Sequence, residues 1–188
     1  KNDIKRFDDI KILVLGGSQA ARVFAEQLPQ IFEKFKNTEF SIKIYQQCQK
    51  QQNKHLIEFY EKAQIDFEIF NFTDEITKYY SKANIVITRS GASVLGELVN
   101  VKIPFISIPL PTSAENHQQK NAEFYVKKGY GYLLEEKDIK NKLNDLINNI
   151  FKDKSSIKKI LSNQRQHSDK NIFRNLEINI EKIVDEKN

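Results

Sequence analysis

Lys11-Ile12-Leu13-Val14-Leu15-Gly16-Gly17-Ser18-Gln19-Ala20-Ala21 decides the fold of this chain. An apolar run from Ile12 to Leu15 stops at a glycine pair and gives way to small and polar residues. A short uninterrupted apolar run closed by such a turn reads as a strand buried on both faces, as in a parallel sheet. Phe24, Leu28, Ile31, Phe32 and Phe35 then recur at helical spacing, with Pro29 expected to kink that helix. The pattern returns at Ile85-Val86-Ile87, which runs into Thr88-Arg89-Ser90-Gly91-Ala92-Ser93-Val94-Leu95-Gly96-Glu97. Two small-residue turns, each leading from a strand into a helix, present backbone N–H groups where an anion can approach closely. Together they point to a nucleotide site.

Working outward, the apolar runs place strands at 11–15, 40–45, 65–70, 84–88, 103–108 and 130–134. Helical spacing fills the intervals at 52–63, 74–82, 91–100 and 116–128. This alternation predicts an α/β fold, a doubly wound parallel sheet of Rossmann-like type. From about residue 137 the chain reads as wholly helical. Ile139, Leu143, Leu146, Ile147 and Ile150 mark one amphipathic helix, and Ile172, Leu176, Ile180, Ile183 and Val184 mark the last. Such a tail packs on its own sheet or reaches a neighbouring domain. Residues 1–10, polar and charged over Lys1–Asp9, read as a linker, and 11–188 as one domain with its helical tail.

The 188 residues carry 30 Lys and Arg against 25 Asp and Glu, a net charge of +5. The two signs are interleaved and no aromatic-plus-basic cluster of an RNA-binding kind is present, so nucleic acid is not an expected partner. A solvated lysine-rich surface accounts for the charge, and weak attraction to an acidic lipid surface is the sharper alternative. The single Cys48 permits no internal disulfide and fits a reducing compartment. The longest apolar run, around Ile103 to Leu110, is interrupted by prolines and is too short to span a bilayer. With no Met and a start at Lys1, the chain is expected to be a fragment or processed product. One cysteine and three dispersed histidines give no metal site, and no cofactor is expected. Ser18 and Ser90 lie on glycine-containing turns but lack the flanking glycines of a nucleophile elbow.

In an open parallel sheet, ligands bind beyond the C-terminal strand ends, which here means the loops 16–21, 88–97 and 109–121. The first offers Gly16, Gly17 and Ser18 to a phosphate, or is an ordinary tight turn. In the second, Ser93 and Glu97 are four apart and share a helix face. The carboxylate of Glu97 can accept both hydrogen bonds of a vicinal diol, as an acid does on a ribose. Its apolar neighbours Val94, Leu95, Leu98 and Val99 predict a partly buried setting, where an idle charge would be costly. A solvated glutamate near a helix N-terminus is the simpler alternative. The third loop is stiffened by Pro109 and Pro111, and Gln118 and Asn121 are spaced to point at one ligand. Neutral amides suit sugar hydroxyls and an N-acetyl group, since each offers donor and acceptor. His117 can bond phosphate or sugar, whereas His55 and His167 read as surface residues.

Three stretches, taken together, resemble the C-terminal, donor-binding half of the MurG family of bacterial peptidoglycan glycosyltransferases. They are Leu15-Gly16-Gly17-Ser18-Gln19-Ala20-Ala21-Arg22, then Arg89-Ser90-Gly91-Ala92-Ser93 to Glu97, then Pro109 through His117-Gln118 to Asn121-Ala122. Their order and spacing match over roughly residues 11–135. The resemblance implies half of a GT-B fold, in which two Rossmann-like domains face each other across a cleft. It implies UDP-N-acetylglucosamine (UDP-GlcNAc) as donor. The acceptor would be lipid-linked, undecaprenyl-diphosphate-MurNAc-pentapeptide, held by an N-terminal domain. The reaction would convert lipid I to lipid II in peptidoglycan synthesis, with peripheral attachment at the cytoplasmic face of the bacterial inner membrane.

By the same resemblance, Gly17, Ser18 and Gln19 and the turn Gly91, Ala92, Ser93, Val94, Leu95 and Gly96 face the diphosphate. Glu97 holds the ribose, the loop at Thr73 meets uracil through its backbone, and His117, Gln118 and Asn121 line the sugar. No catalytic residue is assigned, because the family's proposed base lies in the N-terminal half. The chain departs from the family at Ala20, where glycine is common, and at Val94, where threonine is usual and Ser93 is the substitute hydroxyl. A nicotinamide-dependent oxidoreductase shares the fold. However, Gly16-Gly17-Ser18-Gln19-Ala20-Ala21 is not a dinucleotide fingerprint, and Tyr45-Gln46-Gln47 offers no acid to an adenosine ribose. The donor domain of another GT-B UDP-sugar transferase stays open as an alternative. So does a non-catalytic nucleotide-sugar-binding subunit that needs a partner chain.

Overall fold

The computed structural model describes residues 7–17 and 22–167. Expectations for Ser18, Gln19 and Ala20, and for the last helix marked by Ile172 to Val184, lie outside the described residues. Six strands form one sheet: β1 (Phe7–Leu15), β2 (Phe40–Gln47), β3 (Asp66–Phe70), β4 (Ile85–Thr88), β5 (Phe105–Ser107) and β6 (Tyr132–Leu133). Their order is β3-β2-β1-β4-β5-β6, and every pairing is parallel. The doubly wound parallel sheet expected from the apolar runs is therefore present. β1 begins at Phe7, so the strand takes in the last positions of the stretch read as linker.

The helices are α1 (Arg22–Glu33), α2 (Asn53–Lys62), α3 (Ile76–Tyr80), α4 (Ala92–Asn100), α5 (His117–Lys127), α6 (Ile139–Lys152) and α7 (Lys154–Gln166). Pro29 lies inside α1, which continues through it to Glu33.

Alternation along β1 divides its side chains between two cores. Ile10, Ile12 and Val14 pack with Phe24, Leu28 and Phe32 of α1, Leu56 and Tyr60 of α2, and the buried stripe of α6. Leu13 and Leu15 face the other way, onto Leu95, Leu98 and Val99 of α4 and Tyr80 of α3. Full burial of such a side chain contributes about 1.5–3 kcal/mol, so the central strands carry much of the stability. They are also the rigid frame on which the loops at their C-terminal ends are mounted. α6 packs within the domain's own core through Ile139, Leu143, Ile147 and Ile150, which is the first of the two alternatives for the tail. α7 is fastened by a buried amide: Gln164 Nε2 donates to the carbonyls of Ile103 at 3.0 Å and Tyr130 at 2.8 Å. His167, read from sequence as a surface residue, is instead half-buried, its ring edge-on to Tyr130 at 5.4 Å.

Candidate functional site

The strand order reverses direction at β1, which pairs with β2 on one side and β4 on the other. Crossovers leave this point in opposite directions, opening a crevice at the C-terminal strand ends. The structure has a cleft of about 740 Å³ there, lined by both turns and by the loops after β2 and β3. Gly17 lines it with φ +77°, a left-handed conformation that glycine adopts without a Cβ penalty. On the adjacent strand, β4 is buried at all four positions and ends at Thr88. Gly91 is extended, at φ −65° and ψ 137°, and α4 starts at Ala92. The first N–H groups of α4, from Ala92 to Val94, have no earlier carbonyl within the helix to bond, so they are available to an anion.

The second turn is held rigidly. The Ser90 and Ser107 hydroxyls lie 2.7 Å apart and fully buried, so Ser90 faces away from the cleft. Arg89, also buried, donates to the carbonyls of Ile108 at 3.3 Å and Pro109 at 3.2 Å and forms an ion pair with Glu136. Its guanidinium covers the Phe24 ring at 4.8 Å. Arg89 thus fastens the turn to β5 and to the start of the tail.

Ser93, Val94 and Glu97 line the cleft on one face of α4. Glu97 is exposed, which corrects the expectation of partial burial. Of the apolar neighbours that suggested burial, Leu95, Leu98 and Val99 point into the core on the opposite side of the helix. Glu97 Oε2 accepts a hydrogen bond from the Tyr80 hydroxyl at 3.0 Å.

Two members of the expected phosphate turn sit elsewhere. The Leu95 side chain is fully buried in the core, so only its backbone belongs to the turn. Gly96 lies inside α4, and a Cβ there would come within 3.3 Å of the Tyr125 hydroxyl on α5. That glycine serves helix packing.

Across the cleft, Thr73 Oγ1 accepts from the Glu75 N–H at 3.0 Å and so shapes the turn that opens α3. Phe72 beside it is 85% exposed, an unusual state for a phenylalanine, and faces the same space. Asn71 Nδ2 donates to the Cys48 carbonyl at 2.7 Å and to Asn53 Oδ1 at 2.9 Å, joining the loops after β2 and β3. Cys48 is buried, and burial pushes its thiol up to about 11 from the ordinary 9.0. Tyr80, Phe72 and the residues after β2 carry no motif that marks them in the sequence. The available signal was positional, since any residue just past a parallel strand near the reversal point borders the crevice.

His117, Gln118 and Asn121 do not line this cleft; Gln118 and Asn121 instead bond the backbone of Ser90, in the turn that leads into α4. Gln118 Oε1 accepts from the N–H of Ser90 at 3.2 Å and of Leu110 at 3.0 Å. Asn121 Nδ2 donates to the Ser90 carbonyl at 3.0 Å. The two amides were expected to point together at a ligand, but one half of each is spent on backbone. Gln118 Nε2 and Asn121 Oδ1 make no hydrogen bond among the described residues. His117 is exposed and donates through Nδ1 to the Ala114 carbonyl at 2.7 Å. The loop before α5 holds Glu115 and Asn116 at φ 47° and 54°, strained values for non-glycine residues.

Residues 11–176 match the glycosyltransferase family 28 C-terminal domain. A UDP-N-acetylglucosamine–N-acetylmuramyl-(pentapeptide) pyrophosphoryl-undecaprenol N-acetylglucosamine transferase of Pelagibacter ubique is 38% identical over 186 residues, covering 97% of this chain and 51% of that protein. The Rickettsia felis protein of the same name is 36% identical over 157 residues, covering 79% of this chain and 44% of its own length. Among solved structures, Acinetobacter baumannii MurG superposes with a TM-score of 0.74 at 26% identity, covering 86% of this chain and 48% of that one. The chain spans about half the length of the curated relatives it matches. It belongs to the glycosyltransferase family 28 C-terminal domain family, with the Rossmann-like fold of the C-terminal half of a GT-B enzyme.

Proposed function

We propose that the cleft binds UDP-GlcNAc, and that the chain is the donor-binding half of the enzyme that transfers GlcNAc to undecaprenyl-diphosphate-MurNAc-pentapeptide. The observation that carries this reading is the meeting of two strand-to-helix turns in one crevice, with a carboxylate on the first turns of α4 facing the same space. In this reading the diphosphate lies against the turn Gly17, Ser18 and Gln19 and against the N–H groups at the start of α4. Glu97, with Ser93 beside it, takes the ribose hydroxyls, and backbone at Thr73 meets uracil. The free amide halves of Gln118 and Asn121, with His117, take the hexose.

The acceptor hydroxyl attacks C1 of GlcNAc, the bond from C1 to the β-phosphate oxygen breaks, and UDP leaves carrying the charge. The helix N-terminus stabilises that leaving group electrostatically, and the cleft holds C1 in place for attack. The proton of the acceptor hydroxyl passes to a base in the half of the relatives that this chain does not cover, where the lipid-linked acceptor also binds. Attachment is peripheral, at the cytoplasmic face of the bacterial inner membrane. No helix among the described residues is long and apolar enough to cross a membrane.

Titration calorimetry with UDP, UDP-GlcNAc and ADP, paired with a transfer assay on a lipid-linked acceptor analogue, tests this reading. The two uridine ligands should bind, ADP should bind less well, and no sugar should be transferred by the chain alone. Failure to bind UDP overturns the site, and turnover by the chain alone overturns the assignment of the base to the other half.

A further inference from the structure

We infer that Tyr80 is a positioning residue for the Glu97 carboxylate and thereby sets the preference for ribose over 2′-deoxyribose in the bound nucleotide. The inference rests on the proposed uridine-nucleotide site and concerns how that site achieves its selectivity. Glu97 is exposed, and an exposed glutamate samples many rotamers that must be given up on binding, at a cost in side-chain entropy. A hydrogen bond that fixes the carboxylate beforehand removes part of that cost.

The Tyr80 hydroxyl supplies such a bond to Oε2 at 3.0 Å. The anchor is firm: Tyr80 is only 7% exposed and packs among Leu13, Tyr45, Leu95 and Leu98. Its neighbour on α3, Tyr79, stacks on Phe70 with ring centroids 4.0 Å apart and donates to Glu68 Oε1 at 2.9 Å. α3 is thereby tied to β3, and Tyr80 presents its hydroxyl from a fixed base. Burial first, and the Glu97 carboxylate second, push the Tyr80 phenol well above its ordinary value of 10.0, so it remains a donor at every working pH. A phenol has one proton to give. Given to Oε2, it leaves Oε1 and the remaining lone pair of Oε2 for the two hydroxyls of a diol.

Tyr80→Phe keeps the ring and its packing and removes only the donor. It should weaken UDP about three- to tenfold while weakening 2′-deoxy-UDP by less than about twofold, so the ribose preference shrinks. Adding Tyr80→Phe to Glu97→Gln should cost little beyond Glu97→Gln alone, because both changes break the same arrangement. A merely structural role would lower the melting temperature without changing the ratio of the two affinities. A wild-type chain that prefers UDP, with an unchanged ratio in Tyr80→Phe, overturns the role of Tyr80 and leaves the nucleotide site standing. A wild-type chain that binds no UDP overturns both. In the unliganded wild-type chain, the Tyr80 hydroxyl proton should give a slowly exchanging downfield NMR resonance that Glu97→Ala abolishes. Its absence from wild type overturns the inference whether or not Tyr80→Phe folds.

Discussion

Gln118 and Ser90 are joined side chain to backbone: Gln118 Oε1 accepts from the Ser90 N–H at 3.2 Å and also from the Leu110 N–H at 3.0 Å. One amide on α5 therefore connects the turn that starts α4 to the loop that leaves β5. The proposed diphosphate and hexose walls share this fastening, so they form one rigid unit.

Gln118→Ala removes the acceptor and leaves two backbone N–H groups to find water. Equilibrium unfolding in urea should show a loss of about 1–3 kcal/mol. The same variant should weaken UDP-GlcNAc more than UDP, by up to about tenfold, through loss of Nε2. An unchanged urea midpoint would show that solvent replaces the carbonyl without cost. Equal weakening of both ligands would place Nε2 outside the sugar site.

Gly131 precedes the two-residue strand β6 and lies against a fully buried phenylalanine. A Cβ there would sit 2.5 Å from Phe105 Cε2 and 2.7 Å from the Phe105 carbonyl oxygen. The ring belongs to the core and the carbonyl to β5, so neither moves freely. Gly131→Ala should destabilise by about 1–3 kcal/mol, measurable as a lower thermal midpoint. A midpoint equal to wild type would mean that β6 shifts at no cost.

Cys48 makes stability depend on alkaline pH. Its folded-state value of about 11 lies above the ordinary 9.0, so the folded chain holds the thiol proton more tightly than the unfolded chain does. The resulting stability is complete below about pH 9 and declines as pH rises toward about 11. The stability gap between wild type and Cys48→Ala should accordingly move against wild type over that window and stay constant from pH 6 to 8. A gap independent of pH throughout would contradict the burial argument, as would rapid thiol labelling at pH 8.

The sheet was legible because its central strands are buried on both faces. Ile12 to Leu15 and Ile85 to Ile87 offer no polar position that a helix could turn to solvent, and both form strands. The helices at 52–63, 91–100 and 116–128 fell within a residue or so of α2, α4 and α5; for α2 and α4 the reason is complementary, a one-sided apolar stripe. α7 was not singled out within the helical tail, because its buried face includes the polar Gln164 beside Ile160. Within the site, the turns were readable from glycine and small-residue chemistry, and Glu97 from its spacing to Ser93. The contacts that hold them were not readable. Tyr80 lies 17 residues from Glu97, and Gln118 lies 28 from Ser90, so only the folded sheet brings these partners together. Gly96 lies inside α4, at a packed helix crossing, and glycine in that position looks in sequence like glycine in a turn.

The most direct measurement of the account is the affinity of wild type and Glu97→Gln for UDP and for 2′-deoxy-UDP by calorimetry. Charge-assisted hydrogen bonds are worth about 1.5–3 kcal/mol each, so Glu97→Gln should weaken UDP by about tenfold or more. Wild type should prefer UDP to the 2′-deoxy analogue, and the variant should lose most of that preference. Glu97 is exposed and the exchange conserves volume, so the melting temperature without ligand should scarcely change. A Glu97→Gln chain that keeps both its UDP affinity and its ribose preference would contradict the placement of the nucleotide in this cleft.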